Sequence, residues 1–183
     1  MSTPIDRPRM FSHLTRTRFL HIEDDLGHAK LRFFIGSFER GQGAVSMAYA
    51  FMDVEDARVV LSDLSWGKPV DFSDFKGGRD SSNMLSSRVL KIQTTPAKDD
   101  QDNLFVGAGK IWIEIQNGPG EELSGGAIKP KGKPSVEISI PLTIFEGRKL
   151  AHACLAYIHA WDVQKQIAAV GSDPSRTRVI TDW

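Results

Sequence analysis

Two short segments, Phe51-Met-Asp-Val-Glu-Asp-Ala-Arg58 and Pro141-Leu-Thr-Ile-Phe-Glu-Gly-Arg148, decide how this chain folds. In each segment a strand is predicted to run directly into a helix through a residue that favours the helix N-cap, Asp53 or Thr143. An acidic residue follows three positions later in both segments, and Thr143 with Glu146 forms a capping box. The match predicts two copies of one unit, each made of several strands followed by a helix.

The first unit is predicted to contain three extended segments before its helix. They are residues 19–23, 29–40 and 44–52. Apolar residues at helical spacing follow Asp53, and Trp66-Gly-Lys-Pro69 ends the helix. Residues 70–87, which hold Gly77-Gly78 and a run of Ser and Asn, are predicted to form turns.

The second unit is predicted to contain three further strands before the longest helix. They are residues 88–94, 104–117 and 136–142. Residues 96–103 are predicted to form a polar loop, Gly118-Pro119-Gly120 to break the sheet, and residues 125–134 to form a basic loop. The helix is predicted to run from Thr143 to about Val170. Its predicted buried residues are Leu150, Cys154, Tyr157, Ile158, Trp161 and Val163.

Composition indicates an ordinary globular domain of 183 residues, with 40% hydrophobic and 25% charged residues. The formal net charge is zero, so any binding to phosphate must use local patches and must weaken steeply with salt. The one cysteine, Cys154, excludes a disulfide framework within the chain and favours an intracellular location. No run of about 18 apolar residues is present, so no membrane span is predicted.

Both ends of the chain are predicted to lie outside the folded domain, which covers residues 19–170. Residues 1–18 carry four arginines among Ser and Thr and are predicted to be a flexible basic arm. An organellar transit peptide has a similar composition and is the alternative interpretation. Residues 171–183 are predicted to be a loosely held tail.

Four short segments and one tryptophan carry a resemblance to a known family. They are Phe72–Gly78, Ser87–Ile92, Trp112–Asn117, Ile138–Thr143 and Trp161. The first resembles a linker between repeats, the second a basic strand that opens a repeat, and the third a strand that ends in a Gln-Asn pair. The fourth resembles a strand that leads into the last helix, where the tryptophan lies late. In this order, over roughly residues 29–165, the chain resembles the Whirly family of single-stranded DNA-binding proteins.

The resemblance implies an α+β fold, in which two packed antiparallel β-sheets accompany two helices. It also implies a homo-oligomer, specifically a tetramer, with a single strand of DNA lying along the sheet edges. Mitochondrial RNA-binding proteins share this fold, so single-stranded or guide-type RNA is the alternative ligand. Plant members of the family carry a Lys-Gly-rich segment near the start of the domain, where residues 19–26 of this chain are acidic instead.

Strand alternation selects candidate binding residues, because a single strand requires cations for its phosphates and flat side chains for its bases. In the segment 31–40, one face of the strand is predicted to carry two arginines and two phenylalanines. These candidates are Arg32, Phe34, Phe38 and Arg40. The alternative is a sheet buried on both sides, with the arginines extending to its edge.

Two later strands and one loop supply the remaining candidates. Lys110 and Trp112 are predicted to lie opposite three isoleucines, on a face that is either a ligand platform or a subunit interface. On the neighbouring strand Arg88 and Lys91 are candidates on opposite faces. The loop contributes three lysines without an acid between them, either for phosphate or as a solvated hairpin tip. They are Lys129, Lys131 and Lys133.

Motifs for catalysis are incomplete. Gly107-Ala-Gly-Lys110 lacks the first glycine and the Ser or Thr of a P-loop, and Gly41-Gln-Gly43 lacks the third glycine of a dinucleotide fingerprint. His152, Cys154 and His159 share a helix, but no carboxylate is placed to orient either histidine. No catalytic residue and no cofactor is therefore predicted.

A metal site is not predicted either. Asp99, Asp100 and Asp102 lack the glycine and the later glutamate of a calcium loop, and a solvated loop explains them. The sequence therefore predicts a protein that is not an enzyme and that binds single-stranded DNA, or RNA, with little sequence preference. A structural module, whose exposed aromatic faces join subunits, is the alternative. The expected location is the cytoplasm or nucleoid, or an organelle if residues 1–18 are a transit peptide.

Overall fold

The structure, a computed structural model, describes residues 7–39, 41–79, 82–98 and 104–171. Over these ranges the first half forms four strands and a helix. They are β1 (Arg9–Leu14), β2 (Arg18–Asp25), β3 (Lys30–Glu39), β4 (Gly43–Asp53) and α1 (Val54–Ser65). The second half forms five strands and the longer helix. They are β5 (Asp71–Arg79), β6 (Leu85–Lys98), β7 (Leu104–Glu122), β8 (Ile128–Pro130), β9 (Val136–Thr143) and α2 (Ile144–Gly171).

Two antiparallel sheets organise these elements. The first sheet has the order β1-β2-β3-β4. In the second sheet β5 pairs with β6, β6 with β7, and β7 with both β8 and β9. The predicted α+β fold with two sheets and two helices is confirmed, and at both quoted segments a strand passes directly into a helix.

A single hydrophobic core joins the two halves. Strand alternation places Leu31, Phe33 and Ile35 of β3 in this core, each with 0% exposure. The second sheet contributes Ile113 and Ile140, also at 0% exposure. The helices contribute further apolar residues to the same cluster, which are Ala57, Leu61, Leu64, Leu150, Cys154 and Ile158.

The N-terminal prediction was wrong for residues 9–14. These residues form β1, which pairs with β2 as the outer strand of the first sheet. Met10 is buried in the core and Phe11 packs against it. The third apolar residue of the strand, Leu14, is exposed, so the apolar signal is short and the arginines nearby dominated the sequence pattern. Residues 1–6, and the predicted tail from 172 onward, lie outside the described residues.

Two predictions based on glycine were also wrong. Residues 71–79 were predicted to form turns, but they form β5. Gly118-Pro119-Gly120 was predicted to break the sheet, but it lies within β7. In both places glycine permits close packing, because a Cβ on Gly77 or Gly120 would overlap Ile128. Ile128 belongs to β8, so the predicted basic loop also contains a short strand.

The capping box at the start of α2 is confirmed. The Thr143 N–H donates to Glu146 Oε2 at 2.8 Å, and the Glu146 N–H donates to Thr143 Oγ1 at 3.2 Å. The Thr143 N–H holds the pKa of Glu146 below its usual value. The stability that this carboxylate contributes is therefore present above its unfolded-state pKa and is lost as pH falls through the lowered value.

Replacing Thr143 by alanine is expected to lower the free energy of unfolding by about 1 kcal/mol, since one helix N–H loses its acceptor. Urea unfolding at neutral pH measures this change. Thr95→Ala serves as the control, because Thr95 is exposed and lies within β6, where it caps no helix. Equal loss of stability in both variants would contradict the role of the cap.

The prediction that the Asp53 side chain caps α1 was wrong. Asp53 is the N-cap of α1 but makes no side-chain cap hydrogen bond. Its carboxylate instead accepts hydrogen bonds from Lys30 and Lys76, which lie on different sheets.

Val163 was predicted to be buried in α2, but it is 40% exposed. Within the described ranges, no helix combines the length and the apolar character that crossing a membrane requires.

Candidate nucleic-acid interface

The first sheet carries aromatic side chains on the face opposite the core. The register of the sheet places His21, Phe34 and Tyr49 side by side on β2, β3 and β4. Phe19 and Phe51 flank this row, and all five rings are partly exposed. We call the surface formed by Phe19, His21, Arg32, Phe34, Tyr49 and Phe51 the aromatic face.

The rings form two groups, and the rings within each group are in direct contact. Phe19 lies 4.8 Å from His21 and 5.4 Å from Phe34, measured between ring centroids. Tyr49 and Phe51 meet edge to face at 5.7 Å. Such contacts hold the rings in fixed orientations, so their flat surfaces are preorganised for another aromatic molecule.

Arg32 connects the two groups. Its guanidinium lies 4.8 Å from the Phe34 ring centre and 4.5 Å from the Tyr49 ring centre, so it makes cation–π contacts with both. An ion pair with Glu23, which is only 7% exposed, balances its charge. Arg32 therefore positions the rings more than it attracts phosphate.

Arg88 reaches the aromatic face from the second sheet. Its guanidinium lies 4.6 Å from the Tyr49 ring centre, and Nη2 donates to the Tyr49 hydroxyl at 2.9 Å. Among the described residues, no carboxylate lies within ion-pair distance of Arg88. Its charge is therefore the one on this surface that is most available to an anion.

A cleft of about 650 Å³ opens at the end of the aromatic face. Phe51 and Phe75 line it with their rings, and Lys30, Lys76 and Arg88 line it with their cations. Its walls come from both sheets, because Phe75 and Lys76 belong to β5. The cleft therefore combines flat apolar surface with positive charge, the two requirements of single-strand binding.

The cleft also contains carboxylates that balance part of this charge. Lys30 Nζ lies 2.7 Å from Asp53 Oδ1, while Lys76 contacts the other oxygen of Asp53. The hydrogen bonds from Lys30 and Lys76 hold the pKa of Asp53 below its usual value. Asp53 is therefore fully charged at neutral pH, and the net positive charge of the cleft is small.

His21 contributes a ring and no charge at neutral pH. Burial lowers the pKa of His21, and the nearby Arg9 lowers it further. Its Nδ1 lies 3.0 Å from Ser12 Oγ, a hydrogen bond that fixes the plane of the imidazole. The aromatic face is therefore expected to keep its charge unchanged across the neutral pH range.

Of the site residues predicted on the first sheet, two lie on the aromatic face. Arg32 and Phe34 lie on the face opposite the core, and Arg88 joins them through Tyr49. Phe38 is half-buried and follows a shift in register after Ser37, and within the described ranges it makes no ring–ring contact. Arg40 lies outside the described residues.

The second-sheet candidates lie elsewhere. Lys91, Lys110 and Trp112 occupy the face opposite the buried isoleucines, as the alternation predicted. Lys91 pairs with Glu114 at 2.8 Å, and Trp112 is 36% exposed. These residues therefore do not share the face of Arg32 and Phe34.

The lysine-rich segment borders the cleft, since Gly126, Ala127 and Ile128 line it. Its charge is partly balanced, because Lys129 and Lys131 lie 2.8 Å and 3.9 Å from Glu121. The sequence placed no acid within the loop, but the pairing strand β7 supplies one. Lys133, the third candidate, is exposed.

Sequence reasoning missed four of the rings, which are Phe19, His21, Tyr49 and Phe51. The signal was available for Tyr49 and Phe51, because they are two positions apart on one strand and alternate with the buried Ala48, Ala50 and Met52. The contact of Arg88 with Tyr49 had no such signal, since it joins residues of different sheets.

One group of three carboxylates and one buried thiol are the described residues closest to a metal site or a nucleophile. Carboxylate oxygens of Asp53, Asp56 and Asp74 lie within 4.8 Å of one another, but Lys76 pairs with both Asp53 and Asp74. Burial raises the pKa of Cys154 to about 12, so its thiol is not a nucleophile at neutral pH. The predicted loop acids at positions 99, 100 and 102 lie outside the described residues.

The aromatic face and the cleft thus form a surface for stacking and for charge attraction. Its arginines hold rings in place, its lysines share carboxylates, and its histidine is neutral. This arrangement suits the reversible binding of an anionic polymer that carries flat rings. In comparisons of the chain with protein-family models, with curated proteins and with solved structures, no match was found.

Proposed function

We propose that this protein binds single-stranded nucleic acid, DNA in preference to RNA, on the aromatic face and in the adjoining cleft. The observation that carries the proposal is the contact of Arg88 and Arg32 with the partly exposed Tyr49 ring. In this contact the Arg88 guanidinium is available to a phosphate and the Tyr49 ring is available to a base. The binding is reversible and includes no chemical step.

The physical argument begins with the bases. In a single strand the faces of the bases are open to water, whereas in a duplex they are stacked inside. A base that stacks on a protein ring gains about 1–3 kcal/mol, and this gain depends little on which base is present. Preorganised rings such as Phe34 and Tyr49 therefore favour single strands with little sequence preference.

The second part of the physical argument concerns the phosphates of the single strand. Arg88, Lys30 and Lys76 line the cleft where the aromatic face ends, so a backbone that leaves the rings meets positive charge there. Because Asp53 balances much of the lysine charge, the electrostatic attraction is moderate. Binding is therefore expected to weaken with added salt, but by fewer released ions than the number of basic residues suggests.

Fluorescence anisotropy with labelled oligonucleotides tests the proposal directly. Single-stranded DNA, single-stranded RNA and duplex DNA of equal length are titrated at low salt. We expect dissociation constants of about 1 μM or lower for single-stranded DNA. Weaker binding to duplex and to RNA is expected. Equal binding to all three ligands, or none, would contradict the proposal, and tighter binding to RNA would assign RNA as the ligand.

Changing Lys129, Lys131 and Lys133 together to alanine is expected to flatten the salt dependence of binding. For a single strand, every phosphate that the protein no longer neutralises reduces the slope of log K against log salt by about 0.7. Since Glu121 balances part of this charge, we expect a reduction of about 1 to 2 in slope, with a modest decrease in affinity.

Titrations over a series of salt concentrations measure this slope. Lys68→Ala is the control, because Lys68 is exposed, pairs with Asp63 and follows α1. An unchanged slope in the triple variant would remove the lysine segment from the binding surface and leave the aromatic face as the site.

A further inference from the structure

The cleft at the end of the aromatic face offers a ligand more hydrogen-bond donors than acceptors. An ammonium group carries three N–H donors and accepts no hydrogen bond. Lys30 gives one of its donors to Asp53. Lys76 contacts Asp53 and Asp74. Within the described part of the chain, two N–H groups of Lys30 and at least one N–H group of Lys76 therefore remain for a ligand.

The carboxylates at the cleft are engaged with cations of the chain. Asp53 uses one oxygen for each of the two lysines. The Asp25 side chain is only 11% exposed, and its Oδ1 lies 3.0 Å from His28 Nδ1 and 3.6 Å from Arg7 Nε. A ligand edge that carries N–H donors would therefore compete with these cations, whereas an edge that carries acceptors meets unused donors.

One carboxylate holds the two lysines close together. Lys30 lies opposite Asp53 in the register of the first sheet, and Lys76 lies opposite Arg88 in the register of the second sheet. Because Asp53 binds both ammonium groups, donors from two sheets converge on one point of the cleft wall. The side chains of Lys30 and Lys76 are 35% and 30% exposed, so a ligand in the cleft can reach them.

We propose that the cleft prefers guanine over the other bases, an inference that rests on the proposed single-strand binding. Guanine carries two adjacent acceptors, N7 and O6, on its major-groove edge, and lysine and arginine contact these two atoms most often in specific complexes. Adenine has an amine in place of O6, so its edge would turn N–H groups toward the lysines. The rings of Phe51 and Phe75 line the same cleft and supply flat surface for a purine.

The preference is confined to the cleft. On the aromatic face Phe34 and Tyr49 offer stacking, which depends little on which base is present. A strand can slide along that face until a guanine reaches the cleft. One guanine in a bound strand is therefore expected to raise the affinity, and the remaining bases are expected to be nearly interchangeable.

Fluorescence anisotropy with a short oligothymidylate that carries one purine at its centre tests the base preference. Deoxyguanosine is expected to give a dissociation constant about fivefold or more below that of deoxyadenosine. Deoxyinosine, which keeps N7 and O6 but lacks the 2-amino group, is expected to bind like deoxyguanosine. 7-Deazadeoxyguanosine, which lacks the N7 acceptor, is expected to lose most of the gain.

Replacing Lys30 by methionine is expected to remove the preference, because methionine retains a long apolar side chain but has no N–H donor. The ratio of the dissociation constants for the adenine and guanine strands is expected to fall to about one. Lys68→Met is the matched control and is expected to leave the ratio unchanged, since Lys68 is exposed and pairs with Asp63 after α1. Thermal unfolding establishes that both variants remain folded.

Equal affinity for the guanine and adenine strands would overturn the inference but leave the proposed strand binding intact, since the unsubstituted oligothymidylate measures that binding separately. A larger gain from a central deoxycytidine, a full gain from 7-deazadeoxyguanosine, or an unchanged ratio in Lys30→Met would overturn it as well. Absence of binding to every strand would overturn the proposed function and the base preference together.

Discussion

Replacing Tyr49 by leucine is expected to weaken the binding of single-stranded DNA by about 5- to 150-fold, the range that corresponds to one stacked base. Tyr49 contacts Arg32, Phe51 and Arg88 through its ring. The substitution removes the ring and the hydroxyl that holds Arg88, while it retains an apolar side chain on β4. Fluorescence anisotropy at low salt measures the effect.

Trp112→Leu is the matched control, since it also removes a partly exposed ring from a strand but lies on the outer face of the second sheet. We expect its affinity to change by less than about twofold. Thermal unfolding establishes that both variants remain folded. If Trp112→Leu lost affinity and Tyr49→Leu did not, the binding surface would lie on the second sheet.

Replacing Phe33 by alanine is expected to lower the free energy of unfolding by about 3–5 kcal/mol. Phe33 has 0% exposure and belongs to the core that joins both sheets and both helices. A decrease of this size is a large part of the roughly 5–15 kcal/mol that stabilises a domain. Because the core is continuous, we expect one cooperative transition in urea, reported equally by tryptophan fluorescence and by circular dichroism.

The adjacent Phe34 provides the comparison. It lies on the opposite face of the same strand, so Phe34→Ala is expected to cost about 1 kcal/mol in stability but to weaken single-strand binding. Phe33→Ala is expected to retain binding at temperatures where it is folded. If both variants lost stability equally and neither lost affinity, the assignment of the two faces of β3 would be wrong.

The division of β3 into two faces is the part of the site that sequence predicts well. Alternation is a local property, so the burial of Leu31 and Phe33 and the outward position of Arg32 and Phe34 follow from the sequence alone. The capping box at Thr143 is equally local, because its partners are three residues apart. Both predictions depend only on neighbours along the chain.

Contacts between distant residues were not predictable in this way. Arg88 and Tyr49 are 39 positions apart and meet only because β4 lies beside the second sheet. Asp53 binds two lysines, Lys30 and Lys76, and thus does not cap its helix with its side chain. The glycines of β5 were interpreted as turns, since nothing in the local pattern shows that Ile128 packs against Gly77.

The single thiol of this chain offers a way to measure transient opening of the hydrophobic core. Cys154 is the one cysteine among 183 residues, has 0% exposure, and holds its proton until the pH approaches its pKa of about 12. A maleimide reagent therefore labels it only while the interior is transiently open to water. The rate of that labelling reports how readily the structure around Cys154 opens in the resting protein, without denaturant and without any engineered probe.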